Sequence, residues 1–209
     1  MSLHDAILFD CDGTLVDSEV VQAEVFSDLV AEHGGVLAPA AAMAAFRGRR
    51  LAACMADLEA SFGPLRADFE DVFRARAAVL LRMRLREIEG AAALLAGMAQ
   101  PVCVASNAPR SKIELCLATT GLARFFEGRI FSAYEVGSWK PDPGLFLHAA
   151  QAMGAAPARC LVVEDSAPGV IAAREAGMQV VALLHEEAPD WLPEGVPAIR
   201  ALAELRRYL

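Results

Sequence analysis

Positive charge is scarce in this chain: 19 Lys and Arg stand against 27 Asp and Glu in 209 residues, a net charge of −8 with His neutral. A nucleic-acid or anionic-membrane surface needs a basic patch, so neither partner is expected. Long apolar runs are missing as well. The most apolar stretch, 91–105, is broken by Gln100 and Pro101 and is shorter than the roughly 20 residues of a membrane span. The positive mean hydropathy of +0.37 comes largely from Ala. No Lys or Arg precedes the first apolar stretch, which Asp5, Asp10 and Asp12 interrupt, so no secretory signal is expected. Cys11, Cys54, Cys103, Cys116 and Cys160 are odd in number and lack CxxC spacing. Reduced core thiols are expected, with the cytoplasm as the compartment. Internal repeats and low-complexity segments are absent. What is present is core material: 56% apolar and 22% charged residues exclude disorder and small disulfide scaffolds. The length suits one large domain or one with a small companion.

Five short apolar runs, at 6–10, 102–106, 129–132, 160–163 and 180–184, read as strands covered on both faces of a parallel sheet. Helical patterns at 91–99, 110–120, 143–153 and 167–176 fall between them, and Gly177 follows the last as a helix-ending residue. This alternation predicts an α/β fold, a doubly wound, Rossmann-like parallel sheet. The block between Asp17 and Glu89 breaks the pattern. It holds only helix-like segments, at 20–33, 40–46, 51–62 and 67–85, punctuated by Gly34-Gly35 and Gly63-Pro64. It is far too long for an ordinary connection. The expected organisation is a discontinuous core domain, 1–16 and 89–209, with an inserted all-helical cap domain, 17–88.

Four polar clusters follow strands, where ligands gather in an open α/β sheet. The first is Asp10-Cys11-Asp12-Gly13-Thr14-Leu15-Val16-Asp17-Ser18. Two carboxylates this close favour a hard divalent cation, and magnesium suits a site that also holds phosphate. A turn in which both merely accept backbone hydrogen bonds is the other reading. Ser106-Asn107 places a hydroxyl and backbone N–H groups at a strand end, or simply caps the helix after it. Lys140-Pro141-Asp142-Pro143 fixes a lysine between rigid residues, though alone it reads as a solvated loop charge. Glu164-Asp165, followed by Ser166, ends an apolar strand and reads equally as helix capping. Their conjunction in this order carries the weight.

That conjunction, D-C-D-G-T-L-V-D-S-E, then S-N, then W-K-P-D-P, then V-V-E-D-S-A-P-G-V, resembles the haloacid dehalogenase-like hydrolase superfamily over essentially the whole chain. The resemblance implies phosphatase chemistry on a small phosphorylated metabolite, with Mg2+ as cofactor and a helical cap inserted after the first strand. It implies Asp10 as nucleophile, forming an aspartyl-phosphate, and Asp12 as general acid/base. It implies a metal site of Asp10, Asp12 (through its backbone carbonyl) and Asp165, with Glu164 either ligating directly or acting through water. Ser106, Lys140 and the Asn107 backbone amide match the groups that hold the phosphoryl oxygens. Asn107-Ala108-Pro109 departs from relatives with a Ser/Thr-rich run there. Within that resemblance, Asp12 argues against carbon–halogen chemistry, and the absence of lysine between Asp17 and Glu89 argues against phosphonate hydrolysis.

The cap is expected to choose the substrate. Arg47, Arg49 and Arg50, with Gly48 among them, look like the substrate-contacting loop of similar caps and would suit a carboxylate or second phosphate. A solvated helix-end cluster is the competing reading. Arg74, Arg76, Arg82, Arg84 and Arg86 are expected on a solvated surface, because residues two apart on a helix do not share a face. Trp139 either walls the pocket or anchors packing, and His148 and His185 lie outside every motif. The S-N-A-P, F-S-A-Y-E-V and W-K-P-D-P segments are similar to a bacterial branch that includes 6-phosphogluconate phosphatases, so a phosphorylated sugar acid is expected. The sequence does not give the oligomeric state; a monomer is favoured. A β-phosphoglucomutase-like transfer and a catalytically silent binding or regulatory protein on the same scaffold stay open.

Overall fold

The structure, a computed structural model, describes residues 3–184 and 189–209; His185 lies outside them. Six parallel strands form one sheet in the order β3-β2-β1-β4-β5-β6: β1 (Ala6–Phe9), β2 (Val102–Ser106), β3 (Ile130–Ser132), β4 (Cys160–Glu164), β5 (Gln179–Leu183) and β6 (Ala198–Ile199). Continuous apolar runs become central strands because both faces are covered. Ile7, Phe9, Val104 and Val163 face one core, while Leu8, Cys103, Val162 and Ala182 face the other. α5 (Ala91–Ala96) and α6 (Arg110–Thr119) cover the first face; α8 (Gly144–Ala152) and α9 (Ala167–Glu175) cover the second. The sequence reading lacks two elements. β6 is two residues long, too short to show a pattern, and α7 (Ala133–Val136) is a single turn capped by the Ser132 hydroxyl.

After β1 the chain turns back on itself: Gly13 donates to the Val16 carbonyl at 2.8 Å. Four helices then follow: α1 (Glu19–Glu32), α2 (Pro39–Phe46), α3 (Leu51–Phe62) and α4 (Phe69–Arg84). They surround an apolar cluster of their own, in which Phe26 packs on Phe46 and Phe73 with ring centroids 4.9 and 4.3 Å apart. The two chain crossings that connect this helical block to the sheet lie side by side. Asp17 donates to the Arg86 carbonyl at 3.0 Å, and Ile88 to the Leu15 carbonyl at 2.9 Å. No described helix is long and apolar enough to cross a membrane.

The sheet order reverses at β1, whose neighbours are β2 on one side and β4 on the other. Such a switch point leaves a crevice at the carboxyl ends of the strands. Asp10 continues β1 into that crevice, held by its N–H to the Val163 carbonyl at 3.0 Å, and Glu164 and Asp165 leave β4 beside it.

Candidate active site

Lys140 stands at the centre of the crevice. Its Nζ lies 2.5 Å from Asp10 Oδ1 and 2.7 Å from Glu164 Oε1, and the residue is only 4% exposed. The surroundings fix it at both ends. The Asn107 side chain accepts from the Lys140 N–H at 2.8 Å and donates to the Lys140 carbonyl at 3.2 Å. The same amide donates to the Gly48 carbonyl at 3.1 Å, tying the loop after α2 to the sheet. Asn107 was expected to offer its backbone N–H; here its side chain locks the lysine. Burial disfavours the Lys140 ammonium, but the Asp10 and Glu164 carboxylates outweigh it and raise its pKa.

The three acids differ in what they still need. Glu164 is committed: Oε1 takes Lys140, and Oε2 accepts from the Ser166 N–H at 2.9 Å and its hydroxyl at 2.8 Å. Asp165 is not. Thr14 donates to its Oδ1 at 3.2 Å, whereas among the described residues its buried Oδ2 accepts no hydrogen bond, and Arg47 Nε stays 3.9 Å away. A carboxylate oxygen buried in that state is costly without a cation. Asp10, Glu164 and Asp165 each bring one carboxylate oxygen within 4.8 Å of the others. The residues therefore fit a hard divalent ion, with oxygen ligands only. Gly13 is needed here: its φ is +80°, and a Cβ would lie 2.2 Å from Asp165 Oδ2.

The Asp12 side chain does not join that group. It accepts from the Lys112 ammonium at 2.5 Å and from the Ser18 hydroxyl. Burial would raise its pKa, but the Lys112 charge and these two hydrogen bonds hold it below the usual carboxylate value. Sequence reasoning missed Lys112, which lies in the first turn of α6, and Ser18, which precedes α1. A signal was available: Lys112 and Lys140 are the only lysines in the chain, and both end on the aspartates of the first motif.

Asp10 behaves oppositely. Burial, then the neighbouring Glu164 and Asp12 charges, push its pKa up to about 7 against the pull of Lys140. Burial, with Glu19, Glu164 and Asp10 close by, raises Asp165 well above the ordinary value. Between about pH 4 and the raised values the folded chain holds protons that the unfolded chain has released, so stability falls as pH rises through that window. Without divalent ion, Tm is expected to drop by about 5 °C or more from about pH 5 to about pH 8. Added Mg2+ should raise Tm more at the upper pH. A Tm that is flat or rises across this range in metal-free buffer contradicts the assignment.

The crevice opens into a cavity of about 330 Å³ between the sheet and the helical block, lined by Asp10, Asp12, Ser106 and Lys140 at its base. The loop after α2 closes one side. Gly48 has φ +69° and lies against Ser166, whose Cβ would be 2.5 Å from a side chain placed there. Arg47 reaches the cavity, pairing with Glu19 at 2.6 Å. Arg49 lines it too but pairs with Asp57 at 2.7 Å. Arg50 departs from expectation: it starts α3 in extended backbone, and its guanidinium lies 4.0 Å over the Trp139 ring, outside the cavity lining. Trp139 is thus a packing anchor. The arginine run on α4 also divides. Arg76 and Arg84 pair outward with Glu32 and Glu24, as a solvated face would; Arg74 is half-buried and lines the cavity, and Arg82 borders it while exposed, as expected.

A family model described as a haloacid dehalogenase-like hydrolase matches residues 4–177. The 6-phosphogluconate phosphatase of Escherichia coli is 38% identical over 182 residues, covering 86% of this chain and 82% of the relative. The validoxylamine A 7'-phosphate phosphatase of Streptomyces hygroscopicus subsp. limoneus is 32% identical over 208 residues, covering 98% and 97%. A crystal structure of a hydrolase of this kind from Deinococcus radiodurans, with bound phosphate and sodium, superposes with a TM-score of 0.79. It is 32% identical, covering 100% of this chain and 96% of that one.

Proposed function

The chain belongs to the haloacid dehalogenase-like hydrolases, and on that premise we propose that it hydrolyses a small phosphorylated sugar or sugar acid through a phosphoryl group carried on Asp10. The observation that supports this most is the buried Asp10–Lys140–Glu164 cluster opening onto the same cavity as Asp12. A 38% identical relative named as a 6-phosphogluconate phosphatase supports the substrate class, and a cavity of about 330 Å³ suits a small metabolite.

Asp10 attacks phosphorus, splitting one difficult displacement into two. Lys140 and Ser106 hold the non-bridging oxygens, where charge accumulates. Glu164 keeps the Lys140 ammonium aimed at Asp10 rather than free to swing away. Beside a phosphoryl dianion Asp12 gains a proton despite Lys112, delivers it to the leaving oxygen and later takes one from the attacking water. Mg2+, held by Asp10, Asp165 and the Asp12 backbone carbonyl, would neutralise charge on the phosphoryl oxygens. The helical block, residues 17–88, acts as a cap that covers the cavity and contacts the leaving group. Residues 1–16 and 89–209 supply the reacting groups. Inorganic phosphate released from a panel of sugar, sugar-acid and nucleotide monoesters, with Mg2+ and with chelator, tests the reading. Isomer formation without phosphate release would replace it with a mutase. Silence across the panel would leave a binding protein.

Lys112 and Ser18 orient Asp12, so Lys112→Met should act on proton transfer more than on binding. We expect kcat to fall about 100-fold with KM within about threefold. The pH profile of kcat should also move to higher pH, because Asp12 loses the cation that holds its pKa down. An equal change in KM, or an unmoved profile, would reduce Lys112 to a packing role.

A further inference from the structure

The cavity-facing stripe of α4 carries an unused cation. Arg74, Ala78 and Arg82 recur every four residues, so they share one helix face, and all three line the cavity. The two guanidiniums leave the helix about 12 Å apart along its axis. They are not equivalent. Arg74 is occupied by Glu70 at 2.6 Å and by the Tyr134 hydroxyl at 2.9 Å. Arg82 is exposed at the edge of the cavity; among the described residues no carboxylate pairs with it, and its one hydrogen bond is to the Ala78 carbonyl at 3.3 Å within its own helix.

The other cations lining the cavity are occupied by this chain's own acids. Arg47 pairs with Glu19, Arg49 with Asp57, Lys112 with Asp12 and Lys140 with Asp10 and Glu164. In a chain with 27 acidic residues against 19 basic ones, a cavity-lining arginine without an acidic partner is a departure from the surrounding pattern. Its planar fork matches a carboxylate in a way that a point charge does not. We propose that Arg82 is a specificity-determining residue that binds a carboxylate on the substrate, remote from the scissile phosphate. The proposal deepens the phosphatase reading and rests on it. A single guanidinium suits a singly charged carboxylate; a second phosphoryl dianion would call for more than one cation. The preference so produced is for phosphorylated sugar acids over the corresponding phosphorylated polyols.

The test compares kcat/KM for 6-phosphogluconate and glucitol 6-phosphate, six-carbon esters that differ only in a terminal carboxylate against a hydroxymethyl group. The native enzyme should favour the acid by about tenfold or more. Arg82→Gln should remove that preference by losing activity on the acid alone, with the polyol ester changed by less than about twofold. Arg82→Lys should retain part of it, since charge remains without the fork. No preference in the native enzyme, or equal losses on both esters in Arg82→Gln, overturns the proposal while leaving the phosphatase reading in place. Failure to hydrolyse either ester or p-nitrophenyl phosphate overturns that reading, and this proposal with it.

Discussion

Asp10→Asn is expected to lower kcat by about ten-thousand-fold or more while the protein stays folded. The amide keeps the shape of the side chain, and its oxygen can still accept from Lys140, now 2.5 Å from Asp10 Oδ1. It cannot attack phosphorus as a carboxylate does. Nor does the substitution leave the ammonium stranded, since Glu164 Oε1 remains 2.7 Å from Lys140 Nζ. Burial already disfavours the charged form of Asp10, pushing its pKa up to about 7, so a neutral replacement should leave Tm unchanged or slightly higher. Turnover by steady-state kinetics and Tm by calorimetry check the two halves separately. More than about 1% residual turnover in material free of native enzyme would assign the attack to another group.

How far the sequence reached depended on whether the needed contacts run along the chain or across it. Asp10, Ser106 and Glu164-Asp165 end strands of a buried parallel sheet, and runs such as 102–106 show both the strand and the place where its chemistry begins. Lys112 needs more than that. Its contact with Asp12 spans 100 residues and depends on how the first turn of α6 is rotated above β1. Local pattern carries no information on such a rotation. The α4 arginines show the same limit in another form. The two-residue spacing of Arg74 and Arg76 does separate their faces, and Arg76 indeed pairs outward with Glu32. The same periodicity returns Arg82 to the face of Arg74, and only the packing of α4 reveals that this face borders the cavity. Arg50 failed to reach the cavity for a related reason. As the residue preceding α3 it points along a different direction from Arg47, and the Trp139 ring receives it.

Removing the central cation should have a double cost. Lys140→Met deletes the ammonium between Asp10 and Glu164 and leaves two buried carboxylates facing one another. Breaking a buried ion pair from one side destabilises by about 3–5 kcal/mol, which for a chain of this size lowers Tm by roughly 10 °C. Activity should fall by about 1,000-fold, because the phosphoryl oxygens lose a donor fixed before the reaction begins. The two effects can be separated by a second substitution. Glu164 is fully buried and holds the Ser166 turn through Oε2, so Glu164→Gln removes its charge while keeping an acceptor for that turn. Placed on Lys140→Met, it should restore about half of the lost Tm and none of the lost turnover. Restored turnover would mean that Lys140 acts only by neutralising Glu164. A double variant no more stable than the single one would mean that the carboxylate charge is not what destabilises Lys140→Met.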